Sequence, residues 1–110
     1  MGVTKSDIFT NAQNTIAGFA KLLAHPARVA ILEYLIRQQQ CVCSDLVEEI
    51  GLAQATISQH LKELKTSGII QGTIFGTSVC YCINKDKWNE IQLLLNQFFN
   101  KNIKQINNCC

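Results

Sequence analysis

Several features that would direct a functional reading elsewhere are missing from this chain. No apolar stretch approaches the ~20 residues that a membrane span requires. The opening MGVTKSDIF has no apolar core of the kind a secretory signal carries. A cytoplasmic protein with no membrane partner is therefore expected. Charge is scarce too: Asp, Glu, Lys and Arg make up 16% of residues and the formal net charge is only +2. Affinity for a polyanion must then come from local placement of cations and from dimerisation, not from bulk charge. No glycine-rich phosphate loop and no Ser/His/Asp grouping can be assembled, so nothing points to an enzyme or to a required cofactor. A length of 110 residues allows one domain with a modest core, and the 47% apolar content makes it globular.

What is present in quantity is cysteine. The six cysteines fall into three close pairs, Cys41/Cys43, Cys80/Cys82 and Cys109/Cys110. In a secreted chain they would suggest a disulfide framework. Without an export signal the thiols are expected to be reduced, and close pairs then point to metal binding or redox sensing.

The organising stretch is CVCSDLVEEIGLAQATISQHLKELKTSG, from Cys41 to Gly68. Ser44 and Asp45 offer caps to a first helix, Glu48 completes a capping box with Asp45, and Gly51 suits the left-handed end. A second helix begins near Gln54, with Ile57, Leu61 and Leu64 on one buried stripe. Its opposite face carries Ala55, Ser58, Gln59, Lys62 and Thr66, short and polar with no carboxylate at its centre. Such a face suits the DNA major groove: Gln59 can pair with an adenine edge, Ser58 can meet base or phosphate, and Lys62 neutralises the backbone. A solvated face would look similar, but the helix–turn–helix spacing over residues 41–66 favours DNA. The candidate contacts are Gln54, Thr56, Ser58, Gln59, His60 and Lys62. For His60, at the edge of the stripe, packing competes with a phosphate contact.

The flanks complete a mainly α (α+β) architecture. Residues 1–24 supply an amphipathic helix from about Ser6 to Leu23, with Phe9, Ala12, Ile16, Phe19, Ala20 and Leu23 on one side. Pro26 suits the first turn of the next helix, whose core face is read as Val29, Leu32, Leu35 and Ile36. Arg28 and Arg37 are expected in solvent or near phosphate, and His25 in a structural role. Residues 69–84 read as a β-hairpin about Gly76-Thr77, a wing in which Val79, Tyr81 and Ile83 face the core and Cys80 and Cys82 face outward. Residues 85–102 return to helix, with Trp88, Ile91, Leu94, Leu95, Phe98 and Phe99 at helical spacing. The Asn-rich tail, 103–110, is expected to fray.

HPARVAILEYL at 25–35, CVC at 41–43, GLAQATISQHLKELKTSGII at 51–70 and SVCYCIN at 78–84 together resemble the ArsR/SmtB family of winged-helix, metal-responsive repressors. The resemblance implies a homodimer paired through its terminal helices, double-stranded operator DNA as partner, and control of a metalloid-resistance operon. It departs from the family at Ala53 and Ala55, where many relatives have a capping Ser and a Pro.

The CVC motif implies an arsenic-responsive type, with arsenite or antimonite as inducer. Leu46 stands where one arsenic-sensing pattern has its third cysteine, and other members use C-terminal cysteines. The candidate ligand set is therefore Cys41, Cys43, Cys109 and Cys110. In a regular helix, residues i and i+2 point about 200° apart. Ligation by both sulfurs of CVC then requires an unwound or extended turn, whose distortion would pass through Leu46 and Ile50. The last helix contains no histidine, which removes the Asp/His ligand set of the zinc branch. Open alternatives are a redox- or persulfide-sensing repressor, a cadmium- or lead-sensing one, a thiol oxidoreductase, and a winged helix that binds only protein.

Overall fold

A computed structural model of the chain describes residues 8–43 and 46–103. The first helix, α1 (Asn11–Leu22), starts later than expected because Thr10 provides the cap. The Thr10 hydroxyl accepts from the Gln13 amide at 3.1 Å while Gln13 Oε1 accepts from the Thr10 amide at 2.9 Å, a reciprocal capping box. Helix α2 (Pro26–Gln38) begins with Pro26 at a position whose N–H has no intrahelical partner in any case. It ends at Gln39, which takes the left-handed conformation at φ 54°.

The core face of α2 is rotated from the expected one. Ile31, Leu32, Tyr34 and Leu35 are buried, whereas Val29 and Ile36 remain 38% and 37% exposed. The helix packs against three different elements, and that wide contact draws in a broader arc than a single 3.6-residue stripe.

Helix α3 (Leu46–Ile50) and helix α4 (Gln54–Thr66) form the helix–turn–helix, joined through Gly51 at φ 81°. The predicted caps of α3, Ser44 and Asp45, lie outside the described residues. On α4 the stripe is as read: Ile57, Leu61 and Leu64 are 1%, 5% and 0% exposed. Ala53, at its N-cap, provides no side-chain bond.

Strands β1 (Ile70–Phe75) and β2 (Ser78–Ile83) pair antiparallel with Ile70 opposite Ile83 and Phe75 opposite Ser78, turning at Gly76 with φ 61°. Asn84 then caps α5 (Lys85–Phe99), its side chain accepting from the Lys87 amide at 3.3 Å. The α5 helix lies on α1, with the Phe19 ring edge-on to Trp88 at 6.4 Å. The result is a winged helix–turn–helix: helices α1 to α4, a two-stranded wing, and a closing helix.

One feature alters the topology around the wing. Val42 forms an antiparallel bridge with Tyr81, each amide donating to the other's carbonyl at 2.8 Å. Residue 42 thus pairs with the free edge of the two-stranded sheet through an isolated bridge. Among the described residues no single helix is long and apolar enough to cross a membrane; α1 and α2 reach that composition only as a pair bent by 97°.

Leu64, fully enclosed between α4 and the rest of the core, sets the packing of the helix–turn–helix. Leu64→Ala should lower unfolding free energy by about 2–5 kcal/mol through lost burial and an unfilled cavity. Urea denaturation followed by circular dichroism at fixed protein concentration checks this. A loss below ~1 kcal/mol would show that the site collapses around the smaller side chain.

Candidate nucleic-acid interface and thiol cluster

The outer face of α4 is where its periodicity puts it. Gln54, Ala55, Thr56, Ser58, Gln59, Lys62 and Thr66 are all exposed, backed by the buried stripe on the other side. Two of the candidate readers are held along the helix. Gln54 Nε2 donates to Ser58 Oγ at 3.1 Å, and Gln59 Nε2 donates to Glu63 Oε1 at 3.4 Å. These i to i+4 bonds hold the amides in place without burying them, so a base edge can replace the intrahelical partner. Glu63 also puts a carboxylate beside Gln59, at the rim of the face.

His60 is placed differently from the other five. It is half-buried, and its Nδ1 accepts from Arg28 Nε at 3.0 Å, while its ring lies 5.5 Å from that of His25. Arg28 Nη1 also donates to the Leu22 carbonyl at 3.4 Å. Arg28, expected in solvent or at phosphate, therefore ties the end of α1 and the start of α2 to the middle of α4. Accepting that bond requires His60 to be unprotonated at Nδ1. Burial, then the neighbouring Arg28 and His25, pull its pKa below the usual 6.5.

The cysteines depart most from expectation. The 41–43 segment is extended, not helical, so Cys41 and Cys43 share one side of a strand instead of pointing about 200° apart. The Val42–Tyr81 pair, bonded in both directions, places Cys41 opposite Cys82 and Cys43 opposite Cys80, as the two flanking non-hydrogen-bonded pairs. Residues in such pairs approach most closely. Cys43 and Cys80 have Cα atoms 3.9 Å apart and are joined by a disulfide. Cys41 and Cys82 remain free thiols in hydrogen-bond contact. That bond, with burial and the nearness of Cys41 added, pushes the Cys82 thiol up to about 11.

Two expectations are corrected here. The thiols are not all reduced. Nor is the Cys80 thiol open to solvent on an outer wing face, because the added strand covers it and leaves it 0% exposed. The signal available in the sequence was the matched spacing: CVC and CYC are both C-x-C, and period two puts both thiols of each on one side once both segments are extended. Cys109 and Cys110 lie outside the described residues. With Cys43 and Cys80 bonded, no group of three or more His, Cys, Asp or Glu among the described residues is arranged to hold a metal ion.

Two clefts adjoin the cysteines. One, of about 310 Å³, runs between α4 and the wing and is lined by Cys43, Leu46, Gln54, Ser58, Val79 and Tyr81 among others. It puts the disulfide on the same hollow as two of the candidate DNA readers. The other, of about 530 Å³, opens beside Cys41 and Cys82 and is walled by Ile36, Gln39, Lys85 and Trp88.

Comparison with known proteins agrees with this geometry. The family profile described as "Bacterial regulatory protein, arsR family" matches residues 25–71. The chain is 37% identical over 67 residues to Rv0081, an uncharacterised HTH-type transcriptional regulator of Mycobacterium tuberculosis, covering 61% of this chain and 59% of that protein. The crystal structure of Rv0081 gives a TM-score of 0.64 at 27% identity, covering 83% of this chain and 91% of the other. The transcriptional repressor SmtB of M. tuberculosis is 41% identical over 61 residues, 56% of this chain and 44% of SmtB. An uncharacterised HTH-type regulator of Methanocaldococcus jannaschii is 36% identical over 78 residues, 70% of this chain and 86% of that protein. The chain thus spans only about half the length of the M. tuberculosis proteins it matches by sequence, and most of the length of the archaeal one.

The Arg28–His60 bond makes stability depend on pH. Because the folded pKa of His60 lies below 6.5, the unfolded chain binds more protons near and below that pH. Stability from this group is therefore fully present above pH 6.5 and lost as pH falls through the folded pKa. His60→Gln, which keeps an acceptor for Arg28 but cannot titrate, should flatten the pH dependence of urea midpoints between pH 5 and 7. An unchanged slope would remove His60 as its source.

Proposed function

The chain belongs to the arsR family of bacterial regulatory proteins, and from that premise we propose that it is a homodimeric DNA-binding transcriptional repressor of the cytoplasm, released from its operator when arsenite or antimonite binds its cysteine thiolates. The carrying observation is the two-sided α4: an exposed polar face held rigidly by Ile57, Leu61 and Leu64, beside a wing and next to a cysteine cluster.

In this reading α4 enters the major groove. Gln59 and Gln54 exchange their intrahelical bonds for base edges, Ser58 and Thr56 reach base or phosphate, and Lys62 neutralises phosphate. The α4 N-terminus, lacking a side-chain cap, leaves amide donors for a backbone phosphate. Wing residues 70–83 contain no Lys or Arg, so the cationic contribution rests on α4 itself and on its copy. Leu93 and Phe99 of α5 and Ile8 and Phe9 beside α1 are 60%, 74%, 70% and 51% exposed, an apolar surface suited to a second copy. A two-fold pair presents two α4 helices to half-sites roughly 34 Å apart.

Soft thiolates favour thiophilic ions, and arsenite takes several of them at once, which supports the metalloid as inducer. Cys41, Cys43, Cys109 and Cys110 remain the ligand set implied by the resemblance. A second reading, a redox-sensing repressor, is favoured by the Cys43–Cys80 disulfide.

Fluorescence anisotropy with DNA from upstream of the gene tests both. Gln59→Ala should weaken specific binding about 10-fold. Lys62→Ala should weaken binding to every sequence and lower the salt slope by about one unit. Near-stoichiometric arsenite should release the reduced protein. Release by a mild oxidant and not by arsenite selects the redox reading, and no binding by the reduced or oxidised dimer ends both.

A further inference from the structure

We propose that the reduced chain holds one thiophilic metal ion between Cys41, Cys43, Cys80 and Cys82, a four-thiol site that joins the segment leading into α3 to the wing. The ligands are set by backbone register, not by the tail. The reciprocal 2.8 Å bonds of Val42 and Tyr81 align the two C-x-C segments, and the disulfide and the Cys41–Cys82 contact mark both cross-strand pairs as meeting at their sulfurs. Along each extended segment the two cysteines are ~6.6 Å apart at the backbone, from a rise of about 3.3 Å per residue. A tetrahedral ion with metal–sulfur bonds of ~2.3 Å needs sulfurs ~3.8 Å apart. Each sulfur must lean inward by ~1.5 Å from the strand spacing, within the range of a side-chain rotation.

Oxidation state decides whether the site exists. Forming the Cys43–Cys80 bond passes two electrons and two protons from the thiols to an external disulfide, which leaves as two thiols, and withdraws both sulfurs as ligands. An external dithiol, itself oxidised to a disulfide, returns them and restores all four. Ions reach the pair left free, Cys41 and Cys82, through the cleft walled by Gln39, Lys85 and Trp88. Because Cys43 also borders the hollow shared with Gln54 and Ser58, closing four sulfurs on an ion pulls the lead-in to α3 and the wing together beside the DNA face. Only that regulatory consequence rests on the repressor reading; ion binding does not.

The chain is reduced with a dithiol, freed of it anaerobically and titrated with Cd²⁺ against a chromophoric chelator, with thiolate-to-cadmium ultraviolet absorption and operator anisotropy read on the same samples. The wild type and the Cys109→Ser/Cys110→Ser variant should each bind one ion per chain with equal affinity. Cys82→Ser, and separately Cys41→Ser, should weaken binding at least ~10-fold and remove about a quarter of the absorption. The oxidised protein should lose the site. Circular dichroism confirms folding, and the two single variants avoid disturbing the fully buried Cys80. Retained affinity in both single variants, or loss in the tail variant, overturns the proposal. Tight four-thiolate binding without DNA release supports the site and refutes its regulatory role; release that survives Cys82→Ser refutes the site with that role and leaves the repressor reading intact.

Discussion

The pair of backbone hydrogen bonds between Val42 and Tyr81 is the constraint on which the rest of the arrangement depends. It is local in extent and long-range in sequence, joining residues either side of the helix–turn–helix. It sets residue 42 against β2 and leaves Val42 buried. It also pairs the Tyr81 amide and carbonyl on the open edge of β2, which would otherwise be left without a strand partner. The pairing of four cysteines follows from it as a matter of strand register.

A second set of contacts fixes α4 from the opposite side. Ile57, Leu61 and Leu64 anchor it to the core, and Arg28 reaches from α2 to His60 while holding the last turn of α1. An outer face whose Gln54 and Gln59 bond along the helix at i to i+4 is thus carried on a buried support. That division suits a reading helix: the backbone is held by packing, and the side chains that would meet bases give up little on docking. Low net charge fits the proposed reading, in which placed amides and hydroxyls would carry specificity and a second copy would double the cationic contribution.

Cys43 and the candidate DNA readers Gln54 and Ser58 line one hollow, which is what would let thiol state act on DNA binding in the proposed reading. Cys43 lies on the wall shared with Gln54 and Ser58, so any change that draws the 41–43 segment against β2 acts within a few residues of the reading side chains. Coupling here needs no long pathway.

From the residues alone, the helix–turn–helix, the Ile57/Leu61/Leu64 stripe, the polar face opposite, the hairpin at Gly76-Thr77 and the helix after Asn84 were all legible. Each is set by periods of 3.6 or 2 and by turn residues acting within a few positions. The face of α2 was only partly legible, because a helix touched by three elements buries more than one stripe. Arg28, read as solvent- or phosphate-facing, became an internal tie because its partner lies 32 residues away. The chain by itself supplied two C-x-C pairs and implied thiol chemistry. Which cysteine faces which was decided only by tertiary structure, since cross-strand register between segments 37 residues apart depends on how α3 and α4 fold the chain back, and no local pattern encodes that return.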